Sequence, residues 1–181
     1  MPQANNPSMP TVNISAAKTD PDTKKILAAL AADLNVLMGR MNSQCLSTAG
    51  LVIKAASSAL AKTGGAITYL MTAGALRTIA AATDMPALAG TVLQNTFNVY
   101  ALYVDAGGTA RSAMGVGAAT LAAVQYPVLP AGAANLGFII VNPTSANFVG
   151  GTTALDAANV NAVYVNTPAP FDPNALALVQ Q

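Results

Sequence analysis

The stretch FNVYALYVDAGGTARSAM, residues 97–114, decides the fold. An apolar run over 97–104 is followed by Asp105-Ala106-Gly107-Gly108 and then by a second run that ends at Met114. Glycine reaches the positive φ angles of tight turns, so the stretch predicts a β-hairpin. Both alternating sets of side chains in 97–104 are largely apolar, which predicts a central strand buried on both faces.

Outward from this hairpin, the chain after Cys45 consists of short segments rich in Val, Ile, Thr, Tyr and Phe that Gly, Asn and Pro divide. This texture is typical of an antiparallel sheet protein. We predict further strands near residues 51–55, 66–72, 76–81, 119–126, 136–142 and 162–166, with a second hairpin turn at Thr72-Ala73-Gly74. Residues 126–130 contain two prolines that cannot donate to a ladder, so they predict an edge or a crossing.

Before the sheet region, Thr19, Asp20, Pro21 and Asp22 mark a helix start, because they supply a cap, a first-turn proline and acidic charge. The predicted helix runs to about residue 41. Its apolar residues at alternating spacings of three and four form the seam of a short coiled coil: Leu27, Leu30, Leu34, Leu37 and Met41.

This seam has two interpretations. We favour self-association about a symmetry axis, which makes the five residues a candidate oligomer interface. The alternative is that the helix packs on its own domain, since Ile26, Ala31 and Met38 widen the apolar stripe.

The sequence thus predicts a mainly β fold: an antiparallel, jelly-roll-like β-sandwich knob preceded by a polar arm and one α-helix. We divide the chain into a flexible N-terminal arm (1–18), a helix with its linker (19–45) and a β-sandwich domain (46–181). The arm is polar and proline-rich, so we expect it to be disordered in isolation. It either becomes ordered by adding to a partner or stays loose.

Charge is scarce throughout the chain. Charged residues make up 8% of it, against about 25% in a typical soluble domain, and residues 112–155 contain none. We expect other chains to cover much of that surface; the alternative is a monomer wetted by Ser, Thr, Asn and Gln. A net charge of +1 predicts no nucleic-acid partner and no recruitment to a membrane surface.

The residues also bear on compartment and chemistry. We expect no membrane span and no secretory signal, and hence assembly in a cytoplasm, which the single Cys45 agrees with. The chain has no His, Glu or Trp, so we predict no catalytic residues, no cofactor site and no metal site, and expect that it is not an enzyme.

Several isolated residues have ordinary structural explanations. Asp84, Asp105 and Asp156 sit beside turn residues, where a carboxylate usually binds its own backbone; a calcium site is the alternative. Gly150-Gly151-Thr152-Thr153 lacks the lysine of a phosphate loop and predicts a turn. Cys45 is expected to be a buried apolar side chain.

Four segments carry a resemblance to a known family: AGLVIKAASSALAKT (49–63), TDMPALAGTVLQNTFNVYALYVDAGGTA (83–110), MGVGAATLAAVQYPVLPAGAANLGFIIVNPTSANFVGGTTALD (114–156) and NAVYVNTPAPFD (161–172). Over roughly residues 49–172 the chain resembles a domain that recurs in structural proteins of tailed bacteriophages. These are capsid decoration (cement) proteins and head fibres.

The resemblance implies a homotrimer on the capsid exterior of the virion, assembled in the host cytoplasm, with the shell of major capsid protein as its partner. It implies no catalytic residues, and it makes residues 1–45 the part that attaches to the shell. The alternative is a tail, baseplate or fibre component that binds a receptor or carbohydrate, for which exposed Tyr100, Tyr126 and Asn147 are the candidate contacts.

Overall fold

The computed structural model describes residues 24–33, 44–72 and 75–168. The predicted arm, the predicted helix start at 19–22 and the turn residues 73–74 lie outside these ranges. So do the seam residues Leu34, Leu37 and Met41. Residues 24–33 are helical, in agreement with the predicted helix.

Ten strands follow within the described part of the chain: β1 (Leu51–Ile53), β2 (Ala61–Thr63), β3 (Ile67–Thr72), β4 (Ala75–Ile79), β5 (Thr91–Val92), β6 (Asn98–Val104), β7 (Ala110–Met114), β8 (Ala134–Pro143), β9 (Phe148–Val149) and β10 (Val160–Asn166). The main sheet has the order β10-β8-β6-β7 and is antiparallel throughout. β1 pairs with β2, β3 with β4 and β5 with β9, each pair antiparallel.

The three small sheets and the main sheet enclose the principal core. Leu51, Ala61, Ile67 and Val92 from the small sheets join Tyr100 and other residues of the main sheet in one buried cluster. The fold is therefore mainly β, antiparallel and sandwich-like, with one helix near the N-terminus, which confirms the predicted fold class.

β6 is central, as predicted. All seven of its residues are buried, and β7 and β8 flank it. Tyr100, Leu102 and Val104 face the principal core, whereas Val99 on the opposite face packs in a second cluster with Val124 and Phe138. Residues 115–126 cover this second face.

The strand predicted at 119–126 is wrong. The segment contains a short 3-10 helix, Leu121–Ala123, and Gln125 makes only an isolated bridge to Val116. Its apolar side chains cover the second cluster, and its backbone does not pair as a strand. β2, β5 and β9, which were not predicted, have two or three residues each and show no alternation long enough to recognise.

The predicted hairpin between β6 and β7 is confirmed. The Asp105 N–H donates to the Thr109 carbonyl (2.9 Å), and the Gly108 N–H donates to the Asp105 carbonyl (2.8 Å). Gly108 has φ +88°, which glycine adopts without strain. Residues 126–130 form no strand, in agreement with their two prolines.

Asn135 links three parts of the domain. In the orientation that satisfies all its neighbours, its amide nitrogen donates to the carbonyls of Leu102 and Gly137 (3.2 Å each). Its oxygen accepts from the hydroxyls of Thr167 (3.0 Å) and Tyr126 (3.1 Å). One buried side chain thus holds β6, the residue after β10 and the crossing at 126–130 against the start of β8.

Gly137 marks the place where a side chain cannot fit. Its φ is +153°, and the β6–β8 register shifts between Leu102, its partner, and Tyr103. A Cβ at Gly137 would clash with the Val165 carbonyl oxygen and lie 2.8 Å from Leu51 Cδ1.

We therefore predict that Gly137→Ala lowers the free energy of unfolding by about 2 kcal/mol or more, since it adds backbone strain to overpacking. Gly65→Ala is the matched control, because a Cβ there meets no atom within 4 Å; its expected change is below about 0.5 kcal/mol. Urea denaturation checks both. Equal stability of the two variants would contradict the account of Gly137.

A fully buried tyrosine, Tyr100, and a half-buried one, Tyr126, provide a second prediction. Tyr126→Phe removes a hydroxyl bonded to Asn135 and is expected to cost about 1 kcal/mol. Tyr100→Phe removes a buried hydroxyl that has no hydrogen-bond partner among the described residues, so we expect unchanged or increased stability. Denaturation of both variants at pH 7 checks this order, and a larger loss for Tyr100→Phe would contradict it.

Tyr100 also predicts that the free energy of unfolding depends on pH. Burial raises the pKa of Tyr100 to about 12, whereas an unfolded tyrosine titrates near pH 10. Above pH 10 the unfolded state binds fewer protons than the folded state, so this contribution to stability is lost between about pH 10 and 12. We therefore expect Tyr100→Phe to lose less stability than the wild type between about pH 10 and 12, as measured by urea denaturation across that range.

Candidate assembly surface

The domain has two unlike ends, and the charged side chains of Arg77, Asp105 and Arg111 mark one of them. At the β6–β7 turn, the Arg111 guanidinium donates to Asp105 (3.0 Å), and the Arg77 guanidinium approaches Gly108. The Thr109 N–H and then Arg111 bond to the Asp105 carboxylate and hold its pKa below the ordinary value. We call this region the hairpin end.

The opposite end lies where β6 begins and β8 finishes. The Asn95 N–H donates to the Pro143 carbonyl (2.7 Å), and Phe97 exchanges two backbone hydrogen bonds with Ala118 (2.8 and 3.0 Å). The Gln94 N–H donates to Asn147 Oδ1 (2.9 Å). These bonds bring together residues 93–97, 116–118 and 143–149, which we call the uncharged end.

The uncharged end exposes large apolar side chains. Leu93 is 61% exposed, Val116 62% and Val149 42%, and none of the three segments contains Lys, Arg, Asp or Glu. Exposed apolar groups in segments that contain no charged residue are typical of surfaces that another protein covers. The candidate functional surface is therefore an interface rather than a pocket.

The helix divides the predicted interface residues. Leu27 is half-buried and Ala31 is buried, whereas Leu30 is 61% exposed and Ile26 is exposed as well. The Leu27–Ala31 side of the helix is therefore covered, whereas Leu30 and Ile26 lie in solvent. Self-association through the seam stays a prediction, since three of its five residues lie outside the described ranges.

The aspartates differ from expectation in two of three cases. Asp105 accepts from its own turn, at Thr109 N–H (2.9 Å), as predicted. Asp84 instead pairs with Lys54, and Asp156 accepts from the Ser57 N–H (2.9 Å). Both partners are distant in sequence, so local turn chemistry could not reveal them.

The remaining groups with chemical potential have structural roles. Cys45 is fully buried, its thiol donates to the Ser47 carbonyl (2.7 Å), and burial raises its pKa. The N–H groups of Thr152 and Thr153 donate to the Val149 carbonyl (3.1 and 2.8 Å), which confirms the turn. In the described ranges no three His, Cys, Asp or Glu residues are placed to hold a metal ion.

The three residues suggested for a sugar or receptor site do not come together. Tyr100 is fully buried, which corrects its expected exposure: it faces the core and stacks edge-on with Phe148 at 6.0 Å between ring centroids. Tyr126 bonds to Asn135 at the start of β8, whereas Asn147 lies beyond the other end of that strand.

Sequence reasoning did not identify Leu93, Val116 or Val149. The absence of charge in 112–155 singled out the region that contains two of them. Which apolar side chains remain in solvent depends on loop packing, which that signal does not encode. Among the described residues, no helix has the length and apolar character needed to cross a membrane.

Comparison of the chain with protein-family models, with curated protein sequences and with solved structures returned no match.

Proposed function

We propose that this chain is a capsid decoration protein of a tailed bacteriophage, which binds the outer surface of the head as a trimer and stabilises contacts between capsomers. The observation that carries the proposal is the uncharged end, where Leu93, Val116 and Val149 are exposed without a charged residue in their segments. The sequence resemblance to phage structural proteins supplies the setting.

The proposed mechanism is mechanical and involves no bond chemistry. Each trimer buries its uncharged ends on neighbouring shell subunits, in interfaces of about 1,200–2,000 Å². Three linked contacts release together far more rarely than one, because a detached end is held close to its site. Pressure from packaged DNA must then break several contacts before capsomers separate.

The trimer itself is assigned to the helix. Ile26 and Leu30 are exposed in the single chain, so an axis formed by three helices covers apolar surface that the domain leaves open. In this proposal the β domain supplies the surface that meets the shell, in place of the attachment through residues 1–45 that the resemblance implies.

The first prediction of the proposal concerns the helix. Leu30→Asp places a charge on the trimer axis and is expected to shift the mass measured by light scattering from three chains to one chain of 18.1 kDa. Ala32→Asp is the matched control, because Ala32 is exposed in the same helix and points away from the seam. Two variants of equal mass would contradict the assignment.

The second prediction concerns the uncharged end. Val116→Asp is expected to reduce co-sedimentation with undecorated phage heads by about tenfold or more, because the new charge is desolvated on binding. Val128→Asp is the control, since Val128 is 82% exposed and lies outside the uncharged end. Normal binding by Val116→Asp would overturn the surface assignment, and wild-type protein that pellets with tails but not heads would overturn the proposed function.

A further inference from the structure

Within the part of the chain that the structure describes, the outer edge of β10 is unpaired. β10 pairs with β8 along Val160–Asn166, and among the described residues no strand lies on its other side. The Thr144 N–H donates to the Asn159 carbonyl (2.8 Å), and the Thr167 N–H donates to the Leu136 carbonyl (3.4 Å). Odd-numbered residues therefore bond to β8, and the N–H and C=O groups of Ala162 and Tyr164 point away from it.

Nothing in the sequence of this edge protects it. VNAVYVN, residues 160–166, contains no charge and no proline, which are the usual devices against unwanted pairing. The opposite edge of the sheet is different: the Ser112 hydroxyl of β7 donates to the Ala87 carbonyl (3.0 Å), and Gly90 lies against the Met114 thioether. A segment therefore lies along β7. Against β10, β1 approaches at one end, where the Leu51 N–H donates to the side chain of Asn166 (2.9 Å), and among the described residues no backbone pairs with the outward groups of Ala162 and Tyr164.

A groove of about 370 Å³ runs beside the open edge. Ile53, Leu155, Ala162 and Tyr164 line it, and among the described lining residues Asp156 is the charged one. Burial and then the Asp156 carboxylate raise the pKa of Tyr164, in agreement with the position of both side chains in the lining of this groove. Ile53 and Leu155 give the groove an apolar lining against which apolar side chains can pack.

We propose that residues 11–15 of a second copy of this chain, Thr-Val-Asn-Ile-Ser, add to β10 as an antiparallel strand. The segment alternates polar and apolar side chains, so Val12 and Ile14 share one face. With Ile14 opposite Ala162 and Val12 opposite Tyr164, the outward N–H and C=O groups of β10 gain partners and both apolar side chains enter the groove.

Charge sets the direction of the added strand. In the antiparallel register, Lys18 lies opposite Ala158 and within reach of Asp156. A parallel strand would carry Lys18 toward Asn166, away from that carboxylate. Asp156 and Lys18 thus form a complementary pair at one end of an otherwise apolar contact.

The donor is a second copy because the inference rests on the proposed trimer. Passing each arm to the next subunit around a threefold axis is a heterologous contact that closes after three steps. In such a trimer each of the three β10 edges pairs with one arm, and each arm is used once.

Amide hydrogen exchange of the full-length protein tests the contact. We expect the amides of Ala162 and Tyr164 to exchange about 100-fold faster in Val12→Asp/Ile14→Asp than in the wild type, because an unpaired edge is open to water. Thr11→Asp/Asn13→Asp is the matched control, since it adds the same charge to the other face. Equal exchange in the wild type and Val12→Asp/Ile14→Asp would overturn the proposal.

Cross-linking identifies the donor. Asn13 and Val163 are opposite each other in the proposed register, at a non-hydrogen-bonded position where two cysteines fit a disulfide. Mixing Asn13→Cys chains with Val163→Cys chains and oxidising with diamide should give a band of two chains. A two-chain band from Val163→Cys alone would mean that β10 pairs with itself, and a link formed only within the double variant would mean that each arm covers its own edge; either result overturns the exchange.

The two proposals fail separately. A trimer that pellets with heads but whose β10 amides exchange freely would refute the arm exchange and leave the decoration role standing. Chains that link through residues 13 and 163 but ignore heads would refute the decoration role and retain the exchange.

Discussion

β6 must be covered on both faces, because all of Asn98–Val104 are buried. One layer of secondary structure cannot satisfy such a strand. The three small sheets supply the principal core on one side, and residues 115–126 close the other around Val99 and Phe138. The layers on either side of β6 both follow from this requirement.

The part of the fold that could be predicted from sequence is the part with a long local signal. The β6–β7 hairpin combines a continuous apolar run with a glycine turn, and both features act between neighbouring residues. The prediction of a strand at 119–126 was wrong because Ala and Leu are apolar but do not favour strands. An apolar pattern predicts burial, but it does not distinguish a segment that covers a sheet from a strand that pairs within it. β5 and β9 have two residues each and exist only because residues 91–92 and 148–149 meet in space.

The candidate surface was predictable only in outline. The charge-free stretch 112–155 indicated a covered region, and the helix seam indicated a face for self-association. Leu93 lies outside that stretch, and hydrogen bonds from Asn95 to Pro143 and from Gln94 to Asn147 bring its segment to the uncharged end. Tyr100 was expected at the surface as a candidate sugar or receptor contact, yet it lies in a strand that is buried on both faces.

The hairpin end and the uncharged end differ in how their contacts respond to salt. Dissolved ions weaken attractions between charges over about 8–10 Å at ordinary salt concentrations but leave apolar contacts largely unweakened. The ionic contacts of the hairpin end, Asp105 with Arg111, lie away from the uncharged end. An attachment made through Leu93, Val116 and Val149 would therefore hold at low and at high salt concentration alike.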